Sequence, residues 1–173
     1  LSKLQDGLNI GLVTDRGTPI ISDPGYKIVE YVTKNGFNVI SLPGPTAFVP
    51  ALTMSGINPA PFLFYGFLNS KESKRIKELE SLKNLPYTII LYEAPHRITD
   101  MLKSLLSVFG NRQIALCREI SKKYEEAIRG TIEEVLTVSD TLKGEMVVVV
   151  EGNLEQEDYS SLTILEHINL YLE

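Results

Sequence analysis

The chain has 173 residues, 43% of them hydrophobic, enough for one large or two small domains with a real core. Its 22 acidic and 17 basic residues leave a formal charge of -5, which argues against a protein wrapped in nucleic acid but not against one meeting RNA through a local patch. A single cysteine, Cys117, and two distant histidines, His96 and His167, exclude a disulfide framework and a zinc-spacing pattern. With no bilayer-length apolar run and no signal peptide, the expectation is a soluble, intracellular protein.

The chain opens without methionine on what reads as the tail of a helix stopped at Gly7, so a fragment is expected. Residues 9–14 (N-I-G-L-V-T) have the apolar middle and turn-like flanks of a strand covered on both faces. A loop rich in Asp, Gly, Thr and Pro follows, and Asp23-Pro24 suits the start of a helix over 24–34, with Ile28, Val29 and Val32 inward. Asn35-Gly36 ends that helix, and residues 37–42 read as a second strand, parallel to the first. It leads into Pro43-Gly44-Pro45, with Thr46 as the cap of a helix over 46–55, in whose first turn Pro50 is awkward.

Two parallel strands thus deliver two polar loops, 15–19 and 43–45, to one sheet edge, each loop leading into a helix. Such a pair forms a crevice lined with backbone N–H groups, suited to a carboxylate or to ribose hydroxyls. The plainer reading leaves each loop a structural turn, with Asp15 capping its own.

Residues 56–61 fit no regular element, and the domain boundary is placed there. Residues 62–67 are strand-like, with Gly66 allowing a close approach. A charged helix over 71–83 turns Ile76, Leu79 and Leu82 inward; Lys71, Lys74, Arg75 and Lys77 form a positive patch, either a solvated face or a phosphate contact. A strand over 87–92 ends in Glu93-Ala94-Pro95-His96-Arg97, and a helix over 96–108 follows with Ile98, Met101, Leu102, Leu105 and Leu106 inward. Residues 113–117 form a strand in which Cys117 acts as a small buried hydrophobe, delivering Arg118-Glu119 at its end. Residues 125–129 are strand-like, Thr131 and Glu134 form a capping box, and 145–150 is a core strand. An acidic loop and a helix over 162–172 close the chain.

The expected architecture is α/β: 1–60 as the C-terminal part of a parallel-sheet first domain, 61–152 as a second, mixed-sheet α/β domain, and 153–173 as an acidic linker and the start of a helical tail. If the domains face each other, Asp15, Thr46, Glu93, His96, Arg97, Arg118 and Glu119 converge in the cleft between them. His96 suits either a general base or a packed, capping role. Arg97 and Arg118 suit either an anion or an ion pair with Glu93 or Glu119. No G-x-G-x-x-G, G-x-x-x-x-G-K-[ST] or G-x-S-x-G is present, so three common nucleotide-binding and hydrolase classes lose their signature.

T-D-R-G-T-P-I-I-S-D-P-G-Y at 14–26, L-P-G-P-T-A at 42–47, F-Y-G-F at 64–67, Y-E-A-P-H-R at 92–97, R-E at 118–119 and G-E-M-V-V-V-V-E-G at 144–152 resemble, in order, the bacterial ribosomal RNA small subunit methyltransferase I family of the tetrapyrrole methylase superfamily. The resemblance implies a two-domain α/β homodimer in the cytoplasm that holds S-adenosylmethionine between its domains and 2′-O-methylates a cytidine of 16S rRNA in the small ribosomal subunit. It places Asp15, Gly17, Thr18, Pro19, Thr46 and Ala47 at the methionine and ribose end of the cofactor, with Tyr92, Glu93, Gly144 and Glu145 approaching from the second domain. Glu93, His96 and Glu119 are the candidate bases, and Arg97, Arg118, Lys71, Lys74 and Arg75 the candidate RNA contacts. Two departures stand out: Arg16 replaces a residue usually small, and the family's P-x-G-N-L-x-D and E-D-T-R segments are absent, so this stretch alone is expected to bind the cofactor poorly. The alternatives are methylation of a small molecule such as a tetrapyrrole, and a non-catalytic nucleotide-binding module.

Overall fold

The computed structural model describes residues 1–154. Its centre is one five-stranded mixed sheet built from β1 (Phe62–Phe67), β2 (Thr88–Glu93), β3 (Gln113–Arg118), β4 (Glu126–Thr131) and β5 (Met146–Val150), in the order β1-β2-β5-β3-β4. β1 and β2 are parallel; the other three pairings are antiparallel. The helices in chain order are α1 (Ser2–Gln5), α2 (Tyr26–Lys34), α3 (Phe48–Ser55), α4 (Glu72–Leu82), α5 (Ile98–Phe109) and α6 (Ile132–Leu136). None among the described residues is long and apolar enough to cross a membrane.

β5 reads M-V-V-V-V and is buried along its whole length, as a central strand covered on both faces must be. Its alternation divides the core in two. Met146, Val148 and Val150 join Ile89, Leu91, Ile114 and Leu116 under α4, α5 and α6. Val147 and Val149 join Ile90, Ala115 and Cys117 on the other face, which α3 covers with Ala51 and Leu52. Leu79 and Leu82 of α4 and Ile98, Met101, Leu102 and Leu105 of α5 are buried as the helical spacing predicts, while Ile76 and Leu106 are only half-buried. Thr131 caps α6 from Glu134 N–H and Glu134 returns a bond to Thr131 N–H, the expected capping box.

The first sixty residues depart from expectation. Residues 9–14 and 37–42 form no strand, and Ile10, Val13, Ile40 and Leu42 are exposed. Their apolar pattern suits a two-faced sheet, but a strand exists only beside another, and neither segment finds one among the described residues. α2 begins at Tyr26 behind Gly25 rather than at Pro24, and none of its residues is fully buried: Val29 and Val32 are half-covered and Ile28 is exposed. α3 starts at Phe48 behind Ala47, so Thr46 caps nothing. Pro50 then falls in the first turn, where an amide N–H has no intrahelical acceptor, and its awkwardness disappears.

α3 lies directly on the sheet of the second half. Arg129 of β4 donates from Nε to the carbonyls of Met54 (3.1 Å) and Ser55 (3.2 Å), setting a cation on the negative end of the helix. Residues 56–61 are irregular as expected and include a cis Ala60–Pro61 bond. The acidic loop and helix expected beyond residue 154 lie outside the described residues.

Candidate functional site

The two polar loops of the first half do meet. Thr18 Oγ1 donates to the carbonyl of Pro45 at 3.1 Å, and a Cβ on Gly44 would stand 3.2 Å from the same hydroxyl. Gly17 takes φ 71°, which lets the 15–19 loop turn back while Thr14 Oγ1 donates to Gly17 O at 3.1 Å. Asp15 is exposed and its carboxylate accepts no hydrogen bond among the described residues; Pro19 and Thr46 are half-buried. Ala47 is the residue before α3, and the next N–H, of Phe48, donates to the Tyr92 hydroxyl at 3.1 Å.

The 92–97 motif divides between the two faces of the sheet. Tyr92 points to the α3 side, where its ring meets Phe64 and Phe67 edge-on and where burial raises its pKa against the opposing N–H groups of Phe48 and Ala47. Glu93 points the other way and its side chain is wholly buried. Oε1 accepts from Ala94 N–H at 2.9 Å; Oε2 lies 3.2 Å from Arg97 Nη2 without hydrogen-bond geometry and has no hydrogen-bond partner among the described residues. Burial holds the Glu93 carboxyl above the usual carboxylate range, opposed by Ala94 N–H, Arg97, Arg75 and His96. Arg97 also donates to Leu68 O at 3.0 Å. His96 is exposed on a 3₁₀ turn, Pro95–Arg97.

A third cluster joins the loops at the ends of β3 and before β5. Glu119 N–H donates to Glu145 O at 3.1 Å, and Glu145 N–H returns to Glu119 Oε1 at 3.1 Å. Lys122 Nζ bridges both carboxylates, at 3.1 Å to Glu119 and 2.9 Å to Glu145, and Arg16 reaches across from the first half to pair with Glu145. The Lys122 hydrogen bonds hold both carboxyls below the usual range, and those carboxylates raise the Lys122 pKa. Gly144 has φ 93°, and a Cβ there would stand 2.5 Å from Cγ and Cδ of Glu119. Among the described residues, the non-glycine residues at positive φ are Ile20, Ser22, Glu119 and Ser121. Ile20 and Ser22 lie in the loop that carries Arg16, and Glu119 and Ser121 in the loop after β3, where Glu119 exchanges hydrogen bonds with the Glu145 backbone; strain of this kind concentrates at sites where geometry serves a ligand.

Asp15, Gly17, Thr18, Pro19, Thr46 and Ala47 are therefore in one neighbourhood, which Tyr92 touches through Phe48 and which Glu145 and, through it, Glu119 and Gly144 touch through Arg16. Glu93, Arg97 and His96 are not drawn into that charged cluster. Arg118 is engaged in the sheet, with Glu126 at 2.6 Å and Lys143 O at 3.3 Å. Lys71 and Lys74 are exposed, but Arg75 is a correction: it is 5% exposed and turned inward, bonding Ser104 Oγ at 2.9 Å. Arg75 lies four residues before Leu79 and seven before Leu82, on the inward stripe of the helix itself, which is why it is buried. Lys122, Phe48 and Phe67 also carry this geometry, though no catalytic or ligand-binding motif in the sequence marks Lys122 or Phe48. The F-Y-G-F motif at 64–67 is the sequence signal for Phe67.

Residues 1–136 match the family model described as Tetrapyrrole (Corrin/Porphyrin) Methylases. The chain is 49% identical over 177 residues to the ribosomal RNA small subunit methyltransferase I of Bacillus subtilis (strain 168), covering 98% of this chain and 61% of that protein. Against the protein of the same name from Halalkalibacterium halodurans it is 41% identical, covering 99% and 62%. The chain thus spans about three fifths of these relatives' length. Among solved structures it is similar to the methyltransferase CobJ (TM-score 0.60, 17% identity, 82% of this chain and 64% of that one). It is also similar to the uroporphyrin-III C-methyl transferase of Thermus thermophilus complexed with S-adenyl homocysteine (TM-score 0.55, 20% identity, 78% and 62%). At such identities these two likenesses show the fold alone.

Proposed function

The chain belongs to the tetrapyrrole methylase family, and on that premise we propose that the complete gene product is an S-adenosylmethionine-dependent methyltransferase of ribosomal RNA. Its substrate in this reading is the 2′-hydroxyl of a cytidine in the 16S rRNA of the small subunit, and it works in the cytoplasm as a homodimer. The observation that carries the reading is the junction of the two polar loops, Thr18 to Pro45, tied by Arg16–Glu145 to the second half, in a chain 49% identical to a protein of that name.

The residues present suit the cofactor's chemistry. Asp15 offers an exposed carboxylate free to accept ribose hydroxyls or to face an ammonium group, and glycine at 17 and 44 lets the two loops approach each other closely beside it. Thr18, Pro19, Thr46 and Ala47 complete this wall; Tyr92, Gly144 and Glu145 form the opposing one. The bound cofactor supplies a methyl already activated by its cationic sulfur. What remains for the protein is to align the ribose hydroxyl with that methyl, exclude water, and receive the hydroxyl proton as the C–O bond forms and the methyl–sulfur bond breaks, its electron pair staying on the sulfur of the departing S-adenosylhomocysteine. Glu93 is buried against Arg97 and serves as a positioning residue that shapes the 92–97 segment. His96 and Glu119 are the proton acceptors that remain within reach of solvent, and Lys71 and Lys74 are the phosphate contacts.

The test is methyl transfer from labelled S-adenosylmethionine to small subunits purified from cells lacking the enzyme, with the modified nucleotide mapped. Label in a 16S cytidine ribose is the expected result. No label in the RNA but transfer to a tetrapyrrole offered in a parallel reaction would reassign the substrate, and binding of the cofactor without any transfer would favour a nucleotide-binding module.

A further inference from the structure

In a regular strand Phe64 and Phe67, three residues apart, would project from opposite faces. The pairing of β1 with β2 prevents this. Phe64 lies opposite Ile90 and Gly66 opposite Leu91, which leaves Tyr65 as an extra residue in a bulge. Gly66 takes φ 85° there, and a Cβ on it would stand 3.0 Å from Ser22 Oγ of the first-half loop. The bulge returns Phe67 to the face of Phe64, opposite Tyr92, with ring centroids 5.6 Å apart at 69°. Bulges recur beside active sites because they re-aim a side chain in this way.

The outcome is a row of rings: Phe48 on Phe64 at 4.5 Å, Phe64 on Tyr92 at 5.0 Å, and Tyr92 on Phe67 at 5.6 Å. The inner end is packed under α3, and Tyr92 is fixed at its hydroxyl by Phe48 N–H. The outer end, Phe67, is 53% exposed at the carboxyl end of a parallel strand pair, where α/β sheets place ligands. Exposed Lys71 and Lys74 follow in the next turn of chain. An open aromatic ring, followed four and seven residues later in the chain by exposed lysines at the start of α4, matches the chemistry of single-stranded RNA, whose bases stack while its phosphates seek cations.

Resting on the RNA-methyltransferase reading and extending it, we propose that Phe67, backed by Tyr92, is a stacking platform for a nucleobase, with Lys71 and Lys74 meeting the adjoining phosphates. The base is that of the RNA substrate; the adenine of the cofactor has the same chemistry, and the experiment separates the two.

In the complete gene product, Phe67→Leu removes the π-face and keeps an apolar side chain, and Phe67→Tyr restores the face. Binding of a fluorescein-labelled single-stranded RNA is read by anisotropy, which needs no methyl transfer, and S-adenosylhomocysteine binding by calorimetry. Phe67→Leu is expected to weaken RNA binding about 5- to 150-fold, the loss of one base–aromatic stack, with Phe67→Tyr near wild type and S-adenosylhomocysteine unaffected. A loss confined to S-adenosylhomocysteine would keep the platform and make adenine its occupant. Unchanged binding of both ligands, or equal losses in the Leu and Tyr variants, would overturn the proposal. Failure of the wild type to methylate small subunits would count against the parent reading, while these binding ratios would still decide the platform.

Discussion

Arg75 distinguishes a buried structural cation from an RNA contact. The guanidinium donates to Ser104 Oγ at 2.9 Å and, at a long 3.4 Å, to the carbonyls of Ser70 and Asp100. Arg75→Met keeps much of the apolar stem and removes the fork. The Asp100 carbonyl retains Ser104 Oγ as a donor at 3.0 Å, and Ser70 is exposed enough to regain water, so one charge-assisted bond dominates the loss. Such a bond contributes about 1.5–3 kcal/mol, offset in part by relief of a buried charge, and a net loss of about 2 kcal/mol is expected. For a chain of this size that lowers Tm by about 4–8 °C. Lys71→Ala and Lys74→Ala, at exposed positions, should stay within about 0.5 kcal/mol of wild type while reducing the salt dependence of RNA binding. Thermal unfolding alongside RNA titration at several salt concentrations measures both. An Arg75→Met variant as stable as wild type, with weakened RNA binding, would refute the burial argument.

Glu93 gives a pH signature. Its carboxyl is raised by burial, so protonation favours the fold: the stabilising contribution is full below the ordinary carboxylate pKa and is lost as pH rises through the raised value. Glu93→Gln should therefore compare more favourably with wild type at pH 7 than at pH 4 in urea unfolding, and a pH-independent difference would contradict this. Cys117 is buried, with its thiol pushed up to about 11, and should resist a disulfide reagent at pH 8 in the native state and react with one equivalent once unfolded. At Gly152 a Cβ would stand 2.5 Å from Pro86 C and O and 2.7 Å from Tyr87 N, all backbone atoms that cannot swing aside. Gly152→Ala is expected to cost about 2–3 kcal/mol by overpacking, seen as a lower urea midpoint.

Much of the second half is legible in the sequence because its signals are local. The apolar runs of β2 and β5, the i, i+3, i+4 stripe of α5 and the Thr131–Glu134 box need no knowledge of distant residues. Residues 9–14 and 37–42 carry equally clear strand patterns, yet strand formation is a property of pairs, and no partner lies beside them among the described residues. α3 shows the complementary difficulty. Its apolar surface says that something covers it, but nothing in Phe48–Ser55 says which sheet, and it packs on the far side of the proposed boundary at residue 60.

The same division runs through the candidate site. The juxtaposition of the 15–19 and 43–45 loops is seen although the two parallel strands expected to deliver them do not form among the described residues, and the Phe67 bulge depends on a register slip against β2 that no spacing within β1 announces. The charges at the site are what sequence reading sees most readily, but they do least to place it. Arg16–Glu145 joins side chains 78% and 57% exposed, and pairs of that kind contribute about 0–1 kcal/mol. The stronger hold on the first-half loops is α3, whose underside is packed on five buried strand residues, whose last turn is capped by Arg129, and whose first N–H is taken by Tyr92. The loop pair is carried into position by the helix that follows it, and Arg16 and Glu145 meet because that packing has already brought their loops together.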